Sequence, residues 1–483
     1  MARPFRALDG VSMAGRRSLQ GISSLVAERV SKGSMASCGV AAICGERHES
    51  LVFGEVSAAE GIAAATDTLF HICSCSKAFT AAALAELVAN GVTSWDSPVQ
   101  RILPEFAVSD PWIVEHLTIR DLAGMRLGLS RAGIAEWGFR PDAPVLQRLA
   151  RARGMALDTP YRDRFSYSNL GYIALAALTA RLAGMDYARC MEQLVFAPRG
   201  LRRARLRPER DAALPHLPVD GRMAPVPELT GESSEGSARV HICASDAMSW
   251  LAYLLRAARG GEGGAMAELF RPQIPLRPTA EACDGLPVAW AYGFGWHISA
   301  FKGRTVFNHG GGGRGWRAQA ILDPERDSAV MVFAAHEGVG VEALALTLID
   351  LMSGEARSEW ESLLAARAAR EAEARNATMS LRDGHAGTQI DIVEAAGLYE
   401  NAVTGRVRID EDGDGSLRFA AADAPAFDAK LIPVGGDMLE FRFINPAMRL
   451  MKNDPPFQAR LVRDASGRVA AETTYFGTLV KVS

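Results

Sequence analysis

Three side chains able to activate a hydroxyl surround one serine only if the chain folds: Lys77 lies beside Ser74, but Tyr167 and His309 are far along a 483-residue sequence. Ser74 and Lys77 stand three apart in S-C-S-K, where an F-H-I-C run gives way to an Ala/Leu-rich pattern. From Phe79 to Val88 the apolar positions repeat at helical spacing. Residues three apart share one helix face, with Cβ atoms about 5–6 Å apart. A serine at a helix start meets unpaired N–H groups and the positive end of the dipole, which favour an oxyanion. With an amine one turn away, these are the parts of an activated nucleophile. The same four residues also suit a capping serine followed by a solvated lysine, so the weight falls on the partners downstream.

Tyr167 stands in R-F-S-Y-S-N-L-G-Y, just before a helical pattern starting at Leu170. A phenol beside a cationic lysine has its pKa lowered and can shuttle a proton, and the Asn169 amide can hold substrate or lysine. An aromatic core residue followed by an asparagine cap is the plainer alternative. His309 heads the run Gly310 to Gly313 and is expected on a glycine-rich edge strand. Glycines let backbone N–H groups approach a ligand, which makes Gly311 and Gly312 candidate substrate contacts. The imidazole can donate to a developing charge or leaving group. A phosphate loop is excluded because no G-K-[ST] follows the glycines. Trp296 and Trp316, near the glycine run, are core aromatics by default and candidate pocket walls, Trp316 being also a candidate substrate contact. Tyr399-Glu400-Asn401 and the H-x-G triplets at His336 and His385 repeat the short patterns in other contexts: a C-terminal β module, a strand end without glycines, and a linker.

The chain is 48% hydrophobic and 23% charged with a net charge of −3, an ordinary globular balance long enough for two or three domains. Near-neutral charge gives no support for a nucleic-acid partner or a polybasic membrane anchor. The seven cysteines are scattered without C-x-x-C, so buried free thiols in a reducing compartment are expected, with Cys73 and Cys75 packing beside Ser74. No apolar leader and no membrane-length apolar run is present, and a cytoplasmic location follows as an expectation. The histidines contain no H-x-x-x-H pair, so neither metal nor cofactor is expected. D-E-D-G-D-G from Asp410 opens like a calcium loop, but its twelfth position is Ala421, and a hairpin turn is expected instead.

To position these residues the pattern predicts a helix over 17–32, a hairpin of Cys38–Cys44 with Glu49–Val56, and the Ser74 helix. A mostly helical insert follows, with helices at Thr118–Leu122, Pro144–Arg153, Leu170–Leu182, Tyr187–Phe196 and Ala244–Ala258 and plain connections over 199–229. Strands return at Tyr292–Ser299, Arg304–Asn308, Trp316–Leu322 and Ser328–Ala335, then a helix at 341–353. An antiparallel sheet built from both ends of the segment around a helical insert is an α+β layout. Residues 355–376 predict a charged linker helix. From Ile392 short β-like runs between turn clusters predict a separate antiparallel sheet or barrel of about 90 residues.

In this order along the chain, the motifs resemble the serine hydrolases of the penicillin-binding-protein and class C β-lactamase type over roughly residues 17–355. F-H-I-C-S-C-S-K-A-F-T-A resembles the S-x-x-K element, and S-W-D-S-P-V-Q-R-I-L-P-E-F the segment after it. L-T-I-R-D-L-A-G-M-R-L-G-L resembles the usual T-I-R-D-L-L-x-H-x-S-G-L, from which its second half departs. Y-S-N is the second motif, and Y-G-F-G-W followed by N-H-G-G-G-G-R-G the third. The resemblance implies that Ser74 is acylated, that Lys77 and Tyr167 share general-base duty and that Asn169 contacts substrate. It also implies an oxyanion hole of the Ser74 and Gly312 N–H groups. His309 takes the place of the lysine in K-T-G, so neither a permanent cation nor a hydroxyl is supplied for a β-lactam carboxylate.

H-x-G resembles the esterase, D-aminopeptidase and amidohydrolase members. A lipocalin-like barrel after the catalytic domain resembles the D-aminopeptidases and the penicillin-binding-protein-type thioesterases that cyclise nonribosomal peptides. The implied activity is acyl transfer from peptide-like amides or esters with D-configured acyl donors. Macrocyclisation of a carrier-bound or thioester-linked peptide, and a non-catalytic binding or sensor module, are the alternatives. The implied division is 1–355 catalytic, 356–389 linker and 390–483 barrel.

Overall fold

A computed structural model describes residues 19–482 apart from 34, 130–143, 156, 209–210, 220–221, 228–233, 262–263, 278–284, 337, 356–358, 380–390, 402–403, 423–424, 446–447, 449–456 and 475. Its main sheet runs Ile62–Ala63, Arg47–Ser57, Ser37–Cys44, Ser328–Ala335, Trp316–Asp323, Arg304–Gly313, His297–Phe301, Val288–Tyr292, Ile274–Pro275, antiparallel throughout. Ser37–Cys44 pairs along its length with Ser328–Ala335, so strands from the two ends of the segment meet mid-sheet. Both are buried at every position because both sheet faces are covered. Val40, Val330 and Val332 pack with helices Ile22–Ser31 and Gly340–Ser353, while Ala41, Met331 and Phe333 face the helical insert. That alternation is the two-residue period of a strand. The predicted α+β architecture is therefore the observed one.

The C-terminal β-runs close into a barrel of eight antiparallel strands, from Gly397–Asn401 to Gly477–Lys481, sealed by Tyr399 pairing with Lys481. Phe419, Phe427, Phe441, Phe443, Phe457 and Phe476 pack in its interior. Eight strands leave a bore just wide enough for side chains to fill. The D-E-D-G-D-G stretch is the hairpin turn between Gly405–Glu411 and Leu417–Ala421, with Lys430 pairing to Asp412 and Asp414.

Several expected boundaries move for local reasons. The predicted strand Tyr292–Ser299 is broken, because Gly293 to Trp296 turns between Val288–Tyr292 and His297–Phe301. Gly295, at φ +80°, lies so close to the Lys77 and Ala78 backbone that no Cβ fits. The glycine-bearing strand Arg304–Gly313 is not an edge strand but the sixth in the order given above. Its neighbour His297–Phe301 reaches only Asn308, however, so from His309 onward one side of the strand is open. Within the 199–229 connection His216–Val219 pairs with Arg222–Pro225, a hairpin masked by prolines at 215, 218 and 225. The charged helix begins at Trp360, anchored by its indole N–H to Asp350 at 2.9 Å. Six cysteines are buried and free, and Cys283 lies outside the described residues. No described helix is long and apolar enough to cross a membrane.

Candidate active site

Ser74 sits in a single 3-10 turn, Cys73–Ser76, that opens directly into the helix Lys77–Ala89. That helix is buried almost all round, from Lys77 to Ala85, so the turn at its head has a rigid base. Cys73 adopts φ +48°, a left-handed conformation that costs a non-glycine residue roughly 1–3 kcal/mol. The turn is held on both sides. Ile72 N–H donates to the Val240 carbonyl at 3.1 Å and Val240 N–H to Ser76 Oγ at 3.0 Å. Cys73 Sγ lies 3.1 Å from His71 Nδ1. Burial pushes the Cys75 thiol up to about 12, so it stays protonated.

The half-buried Ser74 hydroxyl receives Tyr167 Oη at 2.8 Å and lies 3.2 Å from Lys77 Nζ. Lys77 is wholly buried, and its amine also donates to Asn169 Oδ1 at 2.6 Å and the Ser237 carbonyl at 2.9 Å. Those two oxygens occupy two N–H bonds. The remaining position points at Ser74 Oγ, as a third N–H in the ammonium or as the lone pair in the neutral amine. The Tyr167 ring centroid lies 4.7 Å from Nζ and that of Tyr172 5.5 Å.

Tyr167 is delivered by a clamped loop. Ser168, not Asn169, caps the helix Asn169–Ala183, its Oγ accepting Gly171 N–H at 3.1 Å, which frees the Asn169 amide for Lys77. Ser166 N–H donates to the Met125 carbonyl at 3.0 Å and Ser168 N–H reaches Met125 Sδ at 3.2 Å. The A-G-M-R-L-G-L departure therefore lies against the tyrosine loop. Upstream, Arg162 grips the buried Asp121 carboxylate with two bonds of 2.9 and 2.7 Å, and Tyr161 adds one of 2.6 Å. Burial alone would raise the Asp121 carboxyl, but these bonds hold it below its usual range.

The glycine strand closes the other wall. A Cβ on Gly311 would collide with the Ile72 carbonyl oxygen, so only glycine lets the strand press against the serine turn. His309 is buried, with Nδ1 2.7 Å from the Gly310 carbonyl and Nε2 3.2 Å from Tyr292 Oη. Burial, with His297 and Lys77 nearby, holds the imidazole well below its usual range. Burial likewise raises the Tyr292 phenol well above its own. In the neutral ring Nδ1–H donates to Gly310 while Nε2 accepts from the Tyr292 hydroxyl. His309 lines the same cleft as Ser74, but among the described residues no hydrogen bond joins the two.

Ser74, Tyr167, Asn169, His309, Gly311 and Gly312 share one cleft of ≈ 1010 Å³, into which Leu364, Arg367 and Glu371 of the Trp360–Met379 helix also open. Trp316 is the correction. It is 4% exposed, packs toward His71 with ring centroids 6.1 Å apart, and lines a different cavity. Trp316 is on the helical-insert face with Ala318 and Ala320, packed into the core beside His71 rather than into the cleft. Sequence reasoning missed Ser237 and Tyr292. A backbone carbonyl carries no residue signature, and Tyr292 reads as an ordinary strand aromatic until His309 is placed beside it.

The family model described as Beta-lactamase matches residues 22–351. Penicillin-binding protein 4 of Amycolatopsis lactamdurans is 27% identical over 279 residues, 56% of this chain and 73% of its own length. The D-aminopeptidase of Brucella anthropi is 29% identical over 312 residues, 61% of this chain and 54% of its own, so the chain spans about half of that relative. Among solved structures, the octameric penicillin-binding protein homologue from Pyrococcus abyssi has a TM-score of 0.61 at 18% identity, covering 95% of this chain and 99% of its own. That likeness of fold takes in the barrel.

Proposed function

Because the chain belongs to the Beta-lactamase family, we propose that it is a serine acyl-transfer enzyme acting on peptide-like amides or esters. The observation that carries this reading is the convergence of Tyr167 Oη at 2.8 Å and Lys77 Nζ at 3.2 Å on one hydroxyl. Ser74 Oγ attacks the carbonyl and its proton passes to Lys77, whose other positions are held by Asn169 and Ser237. The oxyanion is received by the Ser74 and Gly312 N–H groups, each such donor lowering the barrier by about 2.7–4 kcal/mol. Tyr167 gives its own proton to the leaving group as the bond to the carbonyl carbon breaks, and the phenolate takes back a proton from the Lys77 ammonium, which leaves both groups neutral again. Water, or an amine of the substrate, then releases the acyl group by the reverse route. His309, neutral and bonded on both nitrogens, acts by positioning the glycine strand and Tyr292 rather than as a cation.

The preference for a D-configured acyl donor is supported by the H-G-G-G motif and by the likeness to a D-aminopeptidase. Turnover of D- and L-aminoacyl p-nitroanilides and esters tests it, with faster turnover of the D series expected; equal rates for the two enantiomers would end the preference. The length of the cleft, reaching side chains of the Trp360–Met379 helix, favours a peptide over a single amino acid and keeps macrocyclisation as a second reading. A linear peptidyl thioester separates the two outcomes as free acid or cyclic product. The six free thiols fit a reducing cytoplasm.

A further inference from the structure

The Lys77 amine can take the Ser74 proton only when its lone pair faces Oγ. A primary amine turns about its Cε–Nζ bond until both of its N–H groups are bonded. Asn169 Oδ1 fixes one of them at 2.6 Å, and the Ser237 carbonyl fixes the other at 2.9 Å. That carbonyl is a backbone group, so its aim depends on whatever holds the segment around residue 237. The serine helix itself supplies the hold.

Thr80 stands three residues after Lys77, on the same face of the helix Lys77–Ala89, and is wholly buried. A threonine inside a helix commonly bonds back to the carbonyl four residues earlier. Thr179 does so to Leu175 at 2.7 Å, and Thr347 to Ala343 at 2.8 Å. Thr80 instead donates out of its helix, to the Gly236 carbonyl at 2.6 Å. With its one proton committed there, its oxygen accepts from the Tyr187 hydroxyl at 2.7 Å. Gly236 immediately precedes Ser237. At φ +82° it lies so close to the Tyr172 carbonyl that no Cβ fits, which presses the segment against a second helix. Beyond Ser237, Val240 N–H donates to Ser76 Oγ at 3.0 Å. Residues 236–240 are thus tied at both ends to the head of the helix whose lysine they orient. We propose that Thr80 is a positioning residue for acyl transfer: it sets the Ser237 carbonyl, and that carbonyl aims the Lys77 lone pair at Ser74. This rests on the acyl-transfer reading, in which Lys77 receives the serine proton.

Thr80→Val removes the hydroxyl at nearly constant volume, and Thr80→Ser keeps it. The rate of fluorophosphonate labelling of the whole chain, and kcat and KM on an aminoacyl ester, are read for both. Thr80→Val should lower the labelling rate and kcat roughly 10- to 100-fold with KM unchanged, the effect of a misaimed base. Thr80→Ser should recover most of the rate. The Lys77→Ala background separates aim from general structure. There Thr80→Val should slow labelling no further, because the group it positions is gone. Equal slowing in both backgrounds, or wild-type rates for Thr80→Val, would overturn the proposal. Should Thr80→Val not fold, Thr80→Cys carries the same comparison through its weaker donor, with a smaller fall beside Lys77 and none in Lys77→Ala. Failure of the underlying reading would show separately, as wild-type labelling in Lys77→Ala itself.

Discussion

The two cores of this protein solve burial in opposite ways. Around the main sheet, Lys77, Asp121, Asp323 and Asp350 are buried, along with His71, His216, His241 and His309. Each charge among them is met by named partners, such as Arg304 for Asp323 and Lys302 for Asp350. In the barrel the buried polar residues among those described are Thr404, Ser416 and Thr473, and the interior is a cluster of phenylalanines. No histidine occurs beyond His385. Burying polar groups is unfavourable unless they are bonded, so a core that retains so many is built for chemistry, and one with almost none is built to hold shape.

This contrast predicts that activity and stability separate by region. The largest effect is expected from Ser74→Ala, which should lower turnover by about 10⁴-fold or more while leaving the melting temperature unchanged. Tyr167→Phe should lower kcat by about 10²–10⁴-fold, read from steady-state rates on the same ester. In the barrel the balance reverses. Phe441→Ala should cost about 3–5 kcal/mol in denaturant unfolding while fluorophosphonate labelling of Ser74 continues. Loss of labelling in step with that unfolding would merge the two cores into one cooperative unit.

Acid should distinguish the regions next. Burial keeps His71 and His309 well below their unfolded value, His297 at about 4 and His241 at about 3. Below a pH of about 6.5 the unfolded chain takes up protons that the folded chain refuses, so stability is full above that pH and falls as pH drops. At pH 5 the loss is up to about 2 kcal/mol for each such group. Calorimetry at pH 7 and pH 5 should therefore lower the main-sheet transition and spare the barrel; a barrel transition that moves equally contradicts the contrast. The finest probe is a pair of neighbours. Gly311→Ala forces a methyl into the Ile72 carbonyl and should cost about 1–3 kcal/mol together with labelling of Ser74. Gly312→Ala meets only the movable tip of Arg317 and should change stability by less than about 1 kcal/mol.

Much of the site was legible because its residue types are unusual in their settings. A lysine one turn after a serine also suits a solvated first turn, and the tyrosine and histidine motifs downstream were what pointed past that; Lys77 is buried. Asn169 was readable only as holding substrate or lysine, or as a cap; the Ser168 cap decides for the lysine. What could not be read depends on what packs across from a residue rather than on its type. The break after Tyr292 exists because Gly295 fits against the serine helix, and Trp316 is core rather than cleft wall because it packs beside His71. The barrel was legible as turn-punctuated β-runs, while its closure depends on the Tyr399–Lys481 pairing across the whole module.

The most direct test is the intact mass of the protein after brief exposure to a fluorophosphonate, followed by peptide mapping. One adduct on Ser74, absent from Ser74→Ala and formed far more slowly in both Tyr167→Phe and Lys77→Ala, is the predicted result. An adduct on another residue, or equal rates in the wild type and both partner variants, would contradict the claim that these side chains activate one hydroxyl.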